Sequence, residues 1–250
     1  MSAIPLRKTV HYPDSDGQPM ADNDLQYRVM TDLKHALDVR YDAEPDVYVS
    51  ADLLIYYVEG DPSARVAPDV FVAFGVGKGD RRSYRVWQEG HPPDVVFEIA
   101  SHTGWRKLLG SKKILYEKIG FPEYIVFDPD GEFIQPRLQG FRLQNGRYWP
   151  IPPEADGSLL SRVTGLKLEP EGNNLRVIDP VTGRRYPWAK ESEARAREEA
   201  AARQAAEERA ARETAARRAA EERARALEEE LARLRADLGS GKPEDGDPQG

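Results

Sequence analysis

The chain reads as an α/β protein: a mixed sheet flanked by helices, with a β-rich extension and a long C-terminal helix. Three observations predict this. Short apolar, β-branched runs such as Val95-Val96-Phe97 and Tyr124-Ile125-Val126 lie between stretches of helical periodicity. From Gly131 onward a hairpin signal and further short strands take over. After Trp188 the composition turns to Ala, Glu and Arg, with no Gly or Pro until Gly239, the make-up of a long helix.

Taken in order, residues 1–20 are polar and carry Pro13, Gly17 and Pro19, which predicts an irregular arm. Asp22 or Asn23 can cap a helix to about Arg40, with Leu25, Val29, Leu33, Ala36 and Leu37 at helical spacing. Asp24 sits in its first turn. That position favours the helix dipole, and it also makes Asp24 a weaker candidate for reaching a metal. Short strands follow at 47–50 and 53–58, broken near Ala51-Asp52. A turn at 59–63 leads to a strand from Val66 to Phe74 that contains Pro68-Asp69. The loop 75–90 mixes Lys78, Arg81, Arg82 and Arg85 with Tyr84 and Trp87. That mixture suits phosphate contacts and base stacking, or simply a solvated surface.

The next stretch organises the rest. Glu98 lies inside a strand pattern, where an unpaired charge costs several kcal/mol. A bound cation or a nearby lysine would compensate it. A helix beginning at Thr103 or Gly104 and ending at Gly120 supplies that lysine. On a helical wheel Trp105, Leu108, Leu109, Leu115, Tyr116 and Ile119 share one face, and Lys112 falls near its middle. A buried acid followed by a lysine on a buried face breaks patterning twice. Such breaks mark functional sites or a structural ion pair.

A strand at 123–128 follows. Asn145-Gly146 then sits between alternating residues, a hairpin signal. Residues 163–168 and 175–178 read as further strands. Past Trp188, Leu227, Leu231, Leu234 and Leu238 form a short a/d seam on a helix otherwise lined with alanine. This leaves a coiled coil, and a homo-oligomer through the C-terminal helix, as open expectations. The last residues, from Ser240, are rich in Gly, Pro and acid and are expected to be disordered.

The totals narrow the function classes. The chain has 250 residues, a formal net charge of −7 and no cysteine. Disulfides, thiolate zinc sites and catalytic thiols are excluded. No apolar run reaches the ~18 residues of a membrane span. The segment MSAIPLRKTVHYPDSDG lacks the apolar centre of a signal peptide, so a cytoplasmic protein is expected. The acidic balance argues against coating nucleic acid non-specifically, while leaving room for an enzyme that meets DNA through a local basic rim.

Asp69 and Glu98, on neighbouring strands, could hold a hard divalent cation through oxygen. Lys112 could steady an attacking water or the developing charge. Four pieces then carry a resemblance: Pro68-Asp69-Val70, Pro93 to Ser101, Lys112-Lys113-Ile114-Leu115-Tyr116, and Glu123 to Pro129. In order and spacing they resemble the bacterial Uma-two family of endonucleases, over about residues 20–180. The resemblance implies the restriction-endonuclease-like fold of the PD-(D/E)xK nucleases. It implies Asp69, Glu98 and Lys112 as catalytic residues, Asp69 and Glu98 as ligands of Mg2+ (or Mn2+), and DNA as partner. The usual lysine position holds Ala100, and Lys112 matches a lysine that has migrated to the next helix. Ser101 and Tyr116 match a hydroxyl at the strand exit and a helix tyrosine. Leu108 stands where the family often has an aspartate, which keeps a catalytically weak or inactive binding module as the alternative.

The expected organisation is an arm at 1–20, a restriction-endonuclease-like domain at 21–185, a long helix or coiled coil at 186–238 and a disordered tail at 239–250.

Overall fold

The computed structural model describes residues 10–240, and their side chains as far as 236. Residues 1–9 of the expected arm, 241–250 of the expected tail and the side chain of Leu238 lie outside the described residues.

Helix α1 (Asp24–Arg40) begins where the Asn23 side chain accepts from the Gln26 backbone N–H, and Val29, Met30, Leu33, Ala36 and Leu37 form its buried stripe. Strand β1 (Val47–Ala51) ends at Asp52, a non-glycine residue at φ 49°. The strand expected from Val66 to Phe74 is divided. Its start belongs to β3 (Arg65–Val66), which pairs with β2 (Ile55–Tyr56), and its remainder is β4 (Val70–Phe74) in a different sheet. Pro68 lies between them and has no N–H to offer a ladder.

The expected basic loop contains β5 (Tyr84–Arg85) and the short helix α2 (Val86–Glu89). Next come β6 (Val95–Ile99), α3 (Trp105–Leu109), α4 (Ser111–Ile119) and β7 (Glu123–Phe127). The single helix expected at 104–119 is therefore two, parted at Gly110. A Cβ at Gly110 would sit 3.1 Å from the Arg106 carbonyl oxygen, so a side chain there would press on the backbone at the break.

Strands β8 (Leu138–Gln144) and β9 (Arg147–Ile151) form the expected hairpin. Asn145 at φ 53° and Gly146 at φ 74° supply the two left-handed residues of its turn. Strands β10 (Leu159–Leu160), β11 (Lys167–Glu171) and β12 (Asn174–Ile178) follow. The strand expected at 163–168 begins only at Lys167, because the Ser161 hydroxyl ties the Thr164 N–H into a turn at 3.1 Å. Helix α5 (Ala189–Ser240) is the last element of the described residues, among which no helix is long and apolar enough to cross a membrane.

The main sheet has the order β1-β4-β6-β7-β8-β9, and only β6 and β7 run parallel. Its two faces divide by strand alternation. On one face Val70, Val72, Val95, Phe97, Ile99, Ile125 and Phe127 pack against α1 and the β10-β11-β12 sheet. On the other, Phe71, Ala73, Val96, Tyr124 and Val126 pack with Leu108 and Tyr116 from α3 and α4. Glu98 lies between Val96 and Ala100 on this second face.

The chain divides into two compact units after Ser192, somewhat beyond the boundary expected at 185. Within the first unit, Asp32 of α1 accepts from Asn174 at 2.7 Å and from the Ala189 N–H at 3.1 Å, which caps the first turn of α5. Buried Arg176 donates to Glu171, Glu191 and the Tyr186 carbonyl, with its guanidinium 3.4 Å from the Trp188 ring centroid. Replacing Asp32 by Ala leaves one buried and one half-buried donor without their acceptor. It should cost about 2 kcal/mol, read as a lower urea midpoint, and an unchanged midpoint would contradict this role.

Candidate active site

Glu98 is only 2 % exposed, and its partners come from α4. Lys112 Nζ stands 2.6 Å from Glu98 Oε1, and the Tyr116 O–H donates to the same oxygen at 2.6 Å. Lys112 and Tyr116 are four residues apart, so they share a helix face. The Lys112 side chain keeps 28 % of its surface exposed. The break at Gly110 leaves this pair intact, because both residues lie after it.

Asp69 precedes β4. The register pairs Val70 with Phe97, so one further step sets Asp69 opposite Glu98. The Ile99 N–H donates to Asp69 Oδ2 at 2.5 Å. Gln26, from α1, donates to the Ile99 carbonyl at 3.3 Å and reaches the same Asp69 oxygen at 3.4 Å. The structure thus brings Asp69, Glu98 and Lys112 together at one end of β4 and β6.

The electrostatics follow from two buried acids beside one ammonium. Burial, then the charge of Glu98, push Asp69 up to about 7, against the pull of Lys112. Burial works to lower Lys112, but Glu98 and Asp69 outweigh it and hold the ammonium above the usual lysine value. Burial and the neighbouring Glu98 raise Tyr116 well above the ordinary phenol, so its hydroxyl stays a donor.

The weaker candidates divide. Tyr116 belongs to the cluster. Ser101 turns elsewhere, because its hydroxyl donates to Asp22 at 2.5 Å, as does that of Thr103. Asp24 is exposed on the first turn of α1, and the residue this helix directs at the acids is Gln26. Of the basic set, Lys78 donates to the carbonyls of Tyr41 and Asp42 at the end of α1. Arg81 pairs with Glu89 at 2.9 Å and lies over Tyr48. Arg85 lies over Tyr12, which packs on Tyr56 and Trp87. These three are engaged in holding the fold, and Arg82 is exposed.

Three residues of the site's surroundings escaped sequence reasoning. Gln26 was hidden beside the apolar positions of α1. Asp22 had only its capping potential, yet its backbone N–H donates to Gln26 Oε1 at 2.8 Å and so directs the Gln26 amide nitrogen at the acids. Asp52 was visible as a strand break. It holds a left-handed backbone, donates its N–H to the carbonyls of Pro68 and Asp69, and is pushed up to about 6 by burial and then Asp16, against Lys112. Leu108 is a core residue, and its carbonyl accepts from the Tyr124 hydroxyl at 3.0 Å.

A mixed α/β domain with two acids and a lysine at one end of its sheet is the class that fold and site define. Residues 10–175 match the Uma2 family, described as "Putative restriction endonuclease", and the chain belongs to this family. A similar solved structure is that of a "putative nuclease belonging to DUF820" from Anabaena variabilis. It is 14 % identical with a TM-score of 0.43, over 57 % of this chain and 75 % of that one. No curated protein matches the sequence.

The raised Asp69 gives a pH test without metal. A carboxyl whose folded value lies above its unfolded one binds more protons when folded, so its contribution to stability falls as pH climbs from about 4 through 7. Asp69→Asn removes that dependence. Without divalent cations the variant should gain on the wild type by a few degrees more in Tm at pH 8 than at pH 5. A pH-independent difference would contradict the buried, charge-opposed setting of Asp69.

Proposed function

We propose that the chain is a DNA endonuclease dependent on Mg2+ or Mn2+, cutting phosphodiester bonds at Asp69, Glu98 and Lys112. The convergence of these three side chains carries the reading. Two carboxylates facing one ammonium leave a net negative charge at a buried sheet end, and a divalent cation relieves it. The donor set also fits. It is made of hard carboxylate oxygen, the kind a divalent cation such as Mg2+ prefers. Magnesium commonly takes one or two carboxylates and keeps several waters.

When bound, the ion supplies positive charge against the phosphate and acidifies water. The chain's own groups set the stage for it. Asp69 and Glu98 would hold the ion. The Ile99 N–H fixes the direction of Asp69, and the Tyr116 hydroxyl fixes that of Glu98 from the protein side. Lys112 stays charged beside the acids and, on its partly exposed stem, can turn to a phosphate oxygen as charge develops there. Arg82 and, on α3, Lys107 are exposed and available for DNA phosphates. A cysteine-free chain with such a task fits the cytoplasm.

Leu108 favours a second reading, in which the nuclease-like domain binds without cutting. Its place in the core supplies no acid near Lys112. Incubation with plasmid and Mg2+ decides between the two. We expect nicked and linear product from the wild type, none from Asp69→Ala or Glu98→Ala, and at least about a hundredfold slower cutting by Lys112→Ala. Cleavage that survives all three changes would reject the site. An intact plasmid with retained, Glu98-dependent metal binding would favour the second reading.

A further inference from the structure

Beyond Ser192, α5 carries a surface that the domain at the other end of the chain does not explain. Leu227, Leu231 and Leu234 are 60 %, 52 % and 54 % exposed. Their spacing of four and three residues puts them at successive d, a and d positions of a heptad. The same phase, carried upstream, places Ala206, Ala210, Glu213, Arg217, Ala220 and Ala224 on the seam. The block Ala-Ala-Glu-Glu-Arg-Ala occurs at 205–210 and again at 219–224, so the phase is kept across fourteen residues, two heptads.

Some of the charges along α5 are paired within the helix and others are not. Upstream, ion pairs run within the helix: Glu193 with Arg197, Arg203 with Glu207, Glu208 with Arg212, and Arg217 with Glu221. The four charges at the e and g positions beside the leucines are Arg223, Glu228, Glu230 and Arg235. Among the described residues, none of these four has an ion-pair partner in its own chain. Parallel coiled coils pair a g residue with the e residue five further along the other strand. That rule matches Arg223 with Glu228 and Glu230 with Arg235, two attractive pairs on each side and no repulsive one.

We propose that the segment from Arg217 to Ala236 forms a parallel, in-register, two-stranded coiled coil with a second copy of this chain. The self-complementary charges select the occupant, since a second copy supplies each missing partner. Arg217 at an a position selects two strands, where a long side chain can still bring its charge to water. The alanine-lined part upstream adds little buried surface, so the leucine end carries most of the association. The dimer does not depend on whether the domain cuts DNA.

The absence of native cysteine makes the test clean. Single cysteines are placed in the full chain at Ala224→Cys and, separately, at Leu234→Cys, and each is oxidised gently. A parallel in-register pair cross-links to a dimer at both positions, whereas an antiparallel pair can oppose only one of them to itself. Sedimentation gives the mass. The wild type should run as a dimer at high concentration, and Leu231→Ser with Leu234→Ser as a monomer with an unchanged melting point of the domain. Arg223→Glu and Glu228→Arg should each run mainly as monomers, and their mixture should regain the dimer. A wild type that stays monomeric, forms trimers or larger species, or cross-links at one position alone would overturn the proposal. Failure of the mixture to recover would do the same.

Discussion

Glu98 sits on the inner face of a central strand, and its charge has to be answered on the protein side. Lys112 and Tyr116 answer it, and the topology delivers them. Strands β6 and β7 run parallel, so the chain must cross over between them, and parallel neighbours need a helical connection. That crossover is α3 and α4, lying on the face from which Glu98 projects. The same pairing that fixes β6 fixes Asp69, because the antiparallel register with β4 sets it opposite Glu98. One lysine then faces two acids, and burial first, with the charge of Glu98 added to it, pushes Asp69 up to about 7 against the pull of Lys112.

The opposite layer closes the site from behind. Helix α1 contributes its buried stripe to the other face of the sheet, yet its first turn reaches the sheet end where the acids lie. Asp22 receives the hydroxyls of Ser101 and Thr103, and its backbone N–H fixes the Gln26 amide, which meets Asp69 and the Ile99 carbonyl. Asp52 approaches from the break after β1. Its left-handed backbone is a local cost of order 1–3 kcal/mol, held in place by the carbonyls of Pro68 and Asp69.

Much of this was legible in residues 93–129, because burial and charge conflict there within single elements. A glutamate between Phe97 and Ile99 cannot avoid the core, and the wheel centres Lys112 whether or not the helix breaks at Gly110. Asp69 is legible only through its pairing with Glu98 and its likeness to a family motif, since Pro-Asp alone is turn chemistry. The contacts made by the basic loop are not legible in its composition. Arg81 pairs with Glu89 and Lys78 caps α1, and both contacts depend on folding that local composition does not encode. Gln26 was missed because a neutral amide beside Leu25 and Val29 leaves no charge conflict to notice. Asp24 drew the eye as an acid, although the helix turns it to solvent. The leucine end of α5 was plain as a pattern, and the unpaired charges beside it emerged only from the ion pairs of the folded helix.

On the proposal made above, Asp69 and Glu98 together receive a hard cation. Titrating Mn2+ into the full chain, with free ion followed by electron paramagnetic resonance, tests it most directly. The wild type should take up the ion at a site that Glu98→Gln and Asp69→Asn each abolish, with the fold of both variants retained. Undiminished uptake by both variants, or no uptake by the wild type, would contradict it.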